Sequence, residues 1–327
     1  MKLIGPVPAQ GGCGYVDGCG ETRIPFRYEA LGSFHEGLAW FEDRGRIGFI
    51  DEQNNVIIPP RFERGHQAMV LSDFSSGLAP VQLGAHMGFI DTSGRFRIPC
   101  AFRFCSPYVG GIALVSRESE GFSVINRQGE RLCRLDFSSV AEKPYEADCI
   151  KVYQLIDSET HPAFVDRFGV IVGGPFADLE EIFEFSRESP YLAAGILRRQ
   201  RRVGFYDRSG NVRIPPVFTR TTGFSEGLAG VSTPEHVWGY IDSSGKWVIE
   251  PQFTWANPFF GGIATVSLGR RSGQRWHMIG RDAGRRSELR CDSVTAEFED
   301  GFRVLVVGSS VLVTDPACTV IWSGKRV

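Results

Sequence analysis

Six aspartates stand at 17, 51, 91, 166, 207 and 242, each closing a short apolar phrase. A regular series of carboxylates is what a calcium-binding array would need. Calcium, however, takes about six to eight oxygens converging on one loop. Each position here offers one carboxylate, followed by Glu52-Gln53, Thr92-Ser93, Arg208-Ser209 or Ser243-Ser244. Asp17, Asp51, Asp91, Asp166, Asp207 and Asp242 are therefore expected to be turn residues. Each would accept hydrogen bonds from backbone N–H groups two residues on. Zinc would require three or four clustered ligands. His35, His66, His86, His161, His236 and His277 show no such spacing and read as exposed loop residues. No metal is expected.

Nucleophilic catalysis finds no support. There is no G-x-S-x-G elbow, and no glycine-rich stretch runs into Gly-Lys-Ser/Thr as a phosphate loop would. No cofactor is expected. The eight cysteines (13, 19, 100, 105, 133, 149, 291, 318) form no C-x-x-C pair and read as reduced thiols. Two segments remain whose charge suits recognition of another molecule. The first is the basic run Arg198, Arg199, Arg201 and Arg202, with the acidic Asp178, Glu180, Glu181 and Glu184 upstream. The second is Arg270 and Arg271 with Arg281, Arg285 and Arg286. Arginine presents a planar fork that meets carboxylates two bonds at a time. These thirteen residues are the candidate partner-binding set.

The elements that carry them are copies of one unit. GYVD (14–17), GFID (48–51), GFID (88–91), GFYD (204–207) and GYID (239–242) are each followed by a turn, an Ile-Pro or Ile-Glu-Pro step, and then (F/Y)-x-x-G-(L/I)-A. That second motif is seen in FHEGLA (34–39), FSSGLA (74–79), YVGGIA (108–113), FSEGLA (224–229) and FFGGIA (259–264). Counting worn versions, the phrase occurs nine times and the small-residue segment eight. Leu78–Val81, Met87–Ile90 and Arg95–Ile98 read as strands, Asp91–Gly94 as a hairpin turn, and Pro99 as a strand end. Gly77 and Ala79 read as small residues at a crowded position. Ala177–Arg187 is the best helix candidate.

The unit resembles the WG-type repeat, named for a Trp-Gly pair before Tyr-Ile-Asp, which appears in full at Trp238-Gly239. Cys13, Ile47, Met87 and Val203 hold the Trp position in other copies. The resemblance implies a fold and little about activity. Copies fall near 14–46, 47–86, 87–120, 121–160, 161–202, 203–237, 238–275, 276–308 and 309–327. We expect one all-β array over 1–327, of about eight three- to four-stranded units. It should be β-propeller-like, with an open β-solenoid as the alternative.

Net charge is −2, which gives no general attraction to nucleic acid. No apolar run is long enough for a membrane helix, and the first residues do not read as a signal peptide. The expectation is a cytoplasmic, non-catalytic protein-binding module, in specific form an immunity-type protein that neutralises a toxin enzyme. The alternatives are a hydrolase or lyase with a channel site, and a carbohydrate or cell-wall binder using Trp40, Trp247, Trp255 and Trp276.

Overall fold

The computed structural model describes residues 3–63, 73–118, 120–135, 139–146, 149–156, 158–166, 168, 170–174, 176–185, 192–268, 275–286, 291–298 and 301–326. Among them there is no helix, and the ordered elements are strands joined by turns. The strands form antiparallel meanders over 3–28, 30–63, 78–102, 104–135, 139–173, 179–218, 220–253, 255–280 and 293–325, numbered 1 to 9 below. Meanders 2 and 3 merge into one seven-stranded sheet through a single pair, Glu63 with Gln82. The other meanders are sheets of three or four strands. The array is thus a series of separate antiparallel sheets. A solenoid would instead carry long sheets running through successive coils.

By compactness the chain divides into one unit of 1–17, 22–175 and 327, and a second of 18–21 and 176–326. Meanders 2 to 5 belong wholly to the first unit and meanders 6 to 9 to the second.

The excess of phrases over small-residue segments has a simple origin. In meander 1 the strand Leu3–Ala9 pairs with the phrase strand, Leu3 opposite Asp17, as Leu38 lies opposite Asp51 in meander 2. Its sequence, LIGPVPA, lacks the motif but fills the same place.

The repeated letters have separate physical reasons. The phrase glycine faces a bulge. Opposite Gly88 the partner strand Phe96–Phe102 shifts register between Ile98 and Phe102, and a Cβ on Gly88 would lie 2.6 Å from the Ile98 carbonyl oxygen. Pro99 sits inside that bulge, where no ladder donor is required. It does not end the strand, contrary to the sequence reading. Gly77 also differs from expectation. It has φ +77 in a turn, so its requirement is conformational. Ala79, in contrast, is fully buried.

Within each unit the core lies between consecutive sheets. Phe49, Ile58 and Phe62 of meander 2 pack with Phe74, Ala79 and Val81 of meander 3. The phrase aromatic meets the aromatic of the next meander at an angle in Phe49–Phe74, Phe89–Tyr108, Phe205–Phe224 and Tyr240–Phe259, with centroids 5.0, 4.9, 4.8 and 4.8 Å apart. Such tilted and edge-on pairs satisfy the ring quadrupoles. The alanine lies directly opposite the incoming aromatic, Phe224 facing Ala229 and Phe259 facing Ala264.

Residues 179–185 form a strand where a helix was expected. Leu179 and Ile182 are buried three residues apart, which imitates helical spacing. Register shifts between Leu179 and Glu181, and again between Ile182 and Phe185, produce that spacing within a strand.

Candidate partner-binding site

The turn aspartates are built as the sequence implies. Asp91 Oδ1 accepts the Ser93 N–H (2.9 Å) and the Arg95 N–H (3.0 Å), and Oδ2 accepts Arg97 Nε at 2.8 Å. Asp51, Asp166, Asp207 and Asp242 take the same two backbone bonds. Asn126 does so in meander 4. The Asp17 side chain is buried and accepts Arg23 Nε at 2.6 Å, as Asp91 accepts Arg97. Burial alone would raise the Asp91 carboxyl, but bonds from Ser93, Arg95 and Arg97 outweigh it and hold it at about 2. Among the described residues no three His, Cys, Asp or Glu side chains converge to hold a metal ion. His161 and His277 are buried in strands, so the loop reading fails for those two. His66 lies outside the described residues.

The basic run is a hairpin tip in meander 6, between the strands Ala193–Leu197 and Arg202–Tyr206. The Arg201 N–H donates to the Leu197 carbonyl at 2.8 Å, and Arg201 has φ 49, a left-handed turn conformation. The acidic stretch is the neighbouring strand, so structure brings the two charged segments together. The Arg198 N–H donates to the Asp178 carbonyl (2.9 Å), and Arg198 Nη2 to that of Leu179 (3.1 Å). Arg201 Nη2 lies 3.8 Å from Glu180 Oε1, with 79% of the Arg201 side chain exposed. Arg199 and Asp178 are also exposed. Glu181 turns to its own strand, accepting the Ile182 N–H at 3.0 Å. The Glu184 side chain lies outside the described residues. Arg202 adjoins the next tip, in meander 7. The Glu235 carboxyl there is held below the usual range first by the Thr233 side chain, then by its own backbone N–H and the charges of Arg202 and His236.

The second basic group is arranged differently. Arg281, Arg285 and Arg286 follow the far end of the strand Arg275–Gly280, whereas Arg270 and Arg271 precede its start and lie outside the described residues. Arg281 donates to the Glu226 carbonyl and lies 3.9 Å from its Oε2. Arg286 donates to Asp282 Oδ1 at 2.6 Å. Arg285 is exposed. Two of the three described arginines are thus committed to their own chain.

Glu226 is a residue that sequence reading passed over. Its carboxylate accepts the N–H groups of Gly261 (2.6 Å) and Gly262 (2.9 Å) in the next meander. Glu36 accepts the Gly77 N–H in the same way at 2.8 Å. The signal was the Glu in FHEGLA and FSEGLA, where other copies have Ser or Gly. The four tryptophans offered for carbohydrate binding are only partly exposed. Trp40, Trp247, Trp255 and Trp276 each pack against a core cluster, which removes the main support for that reading.

The described residues thus form a propeller-like series of antiparallel sheets with charged hairpin tips. The WG containing repeat model matches residues 14–46, 47–85, 87–119, 204–233 and 238–270, just over half of the chain. The chain belongs to that family. No curated protein matches it. Among solved structures it is similar to a eukaryotic initiation factor, at 11% identity over 98% of this chain and 94% of that one, with a TM-score of 0.66. That likeness establishes the β-propeller-like fold and nothing about activity. BamB from Moraxella catarrhalis aligns at 10% identity over 89% of this chain and 94% of that one, with a TM-score of 0.43, too low to bear on the argument.

Proposed function

We propose that the chain is a non-catalytic protein-binding module that meets its partner through the meander 6 tip. The observation that carries this reading is the exposure of Arg199 and Arg201 on a hairpin whose strands are paired throughout. A tip held this way loses little conformational entropy when it binds, and exposed arginine is prominent among residues that dominate interfaces. The partner surface is acidic, with a basic group to meet Glu180. We favour a toxin enzyme as that partner, neutralised in the manner of an immunity protein, because blocking an active site needs a rigid complementary surface and no chemistry of its own. We put this work in the cytoplasm, in keeping with the seven free cysteines among the described side chains.

Capture from the native host with mass spectrometry tests the proposal, comparing the parent chain with Arg199→Glu/Arg201→Glu/Arg202→Glu. A protein retained by the parent and lost by the variant supports it. Identical retention by both contradicts it.

A further inference from the structure

The residue that opens the first strand of a meander is partly buried at Ala30, Phe104, Trp255 and Ser293, each facing the second strand at the same register. Trp255 shows the use of the place: its ring meets Trp238 of the preceding meander with centroids 4.8 Å apart. Meander 7 has Arg220 there, opposite Ser232, and Arg220 is exposed. A charge stands where other copies pack a side chain. Among the described residues it makes no side-chain hydrogen bond or ion pair.

Arg220 stands between two hairpin tips. Phe218 pairs with Val203, next to Arg202 at the base of the meander 6 tip. Arg220 follows Phe218 by two residues, at most about 7 Å of chain. Thr219, between them, fixes the path. Its N–H donates to the Ser232 carbonyl (2.9 Å) and its hydroxyl to that of Thr233 (3.0 Å). Thr233 begins the meander 7 tip, on which Pro234, Glu235 and His236 are exposed. The two tips also meet through their charges: the Glu235 carboxyl, held low first by the Thr233 side chain, feels Arg202 as well. Arg201 is turned to Glu180 and Arg202 to Glu235. Arg199 and Arg220 are left without a partner among the described residues, one on the tip and one beside it.

We propose that the binding surface of the meander 6 tip continues past Arg202 to Arg220 and takes an extended acidic segment of the partner, with one carboxylate on Arg199 and another on Arg220. This inference rests on the partner-binding reading of the tip given above. Both arginines are carried on paired backbone, so little order is lost on binding. Each guanidinium fork suits a carboxylate. Glu180 and Glu235 lie among the arginines and repel a dense run of charge, so separate carboxylates on one polypeptide fit better than a phosphate backbone.

Fluorescence anisotropy with a labelled hexaglutamate peptide at low salt tests this on the full chain. The parent should bind it. Arg220→Gln and Arg199→Gln/Arg201→Gln should each melt with the parent and bind about 3- to 5-fold more weakly, as expected of exposed ion pairs. Arg285→Gln should bind as the parent does. Weakening by Arg199→Gln/Arg201→Gln but not by Arg220→Gln would overturn this inference and leave the tip reading standing. A peptide bound equally by the parent and all three variants would overturn both. A parent that does not bind the peptide would overturn the inference of an acidic segment, with the tip reading then judged by host capture.

Discussion

Glu297 and Arg303 face one another across a strand pair in meander 9, at the register where Phe259 faces Ala264 and Phe224 faces Ala229. Arg303 Nε lies 3.2 Å from Glu297 Oε1, with both side chains buried. The aromatic–alanine pair of the repeat has become an ion pair. Both partners are held by further hydrogen bonds: Arg303 donates to the carbonyls of Gly301 (2.6 Å), Phe260 (2.8 Å) and Ile263 (2.8 Å), and Thr265 Oγ1 donates to Glu297 (2.9 Å). Burial raises the Glu297 carboxyl, against the opposing pull of Arg303 and Thr265.

Removing one partner of a buried pair strands the other charge, at about 3–5 kcal/mol. Arg303→Ala should therefore destabilise the chain by that amount, although alanine is what other copies carry. Glu297→Phe/Arg303→Ala restores the pattern of the repeat and should recover most of the loss. Urea denaturation of the parent, the single variant and the double variant measures both effects. A double variant no better than Arg303→Ala would contradict this account of the joint.

The turn aspartates should behave as caps. Asp91→Ala and Asp242→Ala should each cost roughly 0.5–2 kcal/mol. Asp91→Asn should cost less, because Asn126 already makes the same two backbone bonds in meander 4. Added Ca²⁺ should leave all three melting temperatures unmoved, and a calcium-dependent rise in the parent that Asp91→Ala abolishes would show a metal site instead.

The same carboxylates set an acid limit. The folded Asp91 carboxyl sits at about 2, below an unfolded value of about 3.9. The unfolded chain therefore binds the proton more readily, and falling pH favours it. The contribution is complete above about pH 4 and is lost toward pH 2. Asp51, Asp207 and Asp242 are lowered too, and add in the same direction. A pH series of melting temperatures should show a shallower acid decline for Asp91→Asn than for the parent.

Glu226→Gln keeps an acceptor but loses the charge that strengthens its bonds to Gly261 and Gly262. The amides of those glycines should exchange faster, with global stability falling by about 1 kcal/mol. Glu226→Ala should accelerate them further. Unchanged exchange in both variants would mean that the carboxylate does not tie meander 7 to meander 8.

What could be read from sequence was what repeats. GFID at 88–91 and FSSGLA at 74–79 revealed strands, turns and an all-β array, because turn chemistry and apolar alternation act locally. What failed involved contacts between units or shifts of register. Phe298 aligns by eye with Phe74, but the turn that follows it is one residue longer than that after Ser75, so Glu297 takes the aromatic place. The bulges that turned 179–185 into a strand were hidden for the same reason. The basic tip and the acidic stretch were both visible, but their meeting depended on a pairing, Leu179 with Leu197, that no local pattern reveals.

The most direct test of the central claim is the dissociation constant of the captured partner, measured by calorimetry against three proteins: the parent, the tip variant Arg199→Glu/Arg201→Glu/Arg202→Glu, and Arg285→Glu. The tip variant should melt with the parent and bind at least ~10-fold more weakly, about 1.4 kcal/mol, while Arg285→Glu binds as the parent does. A tip variant that folds normally and binds with undiminished affinity would contradict the claim that this protein meets its partner through the meander 6 hairpin.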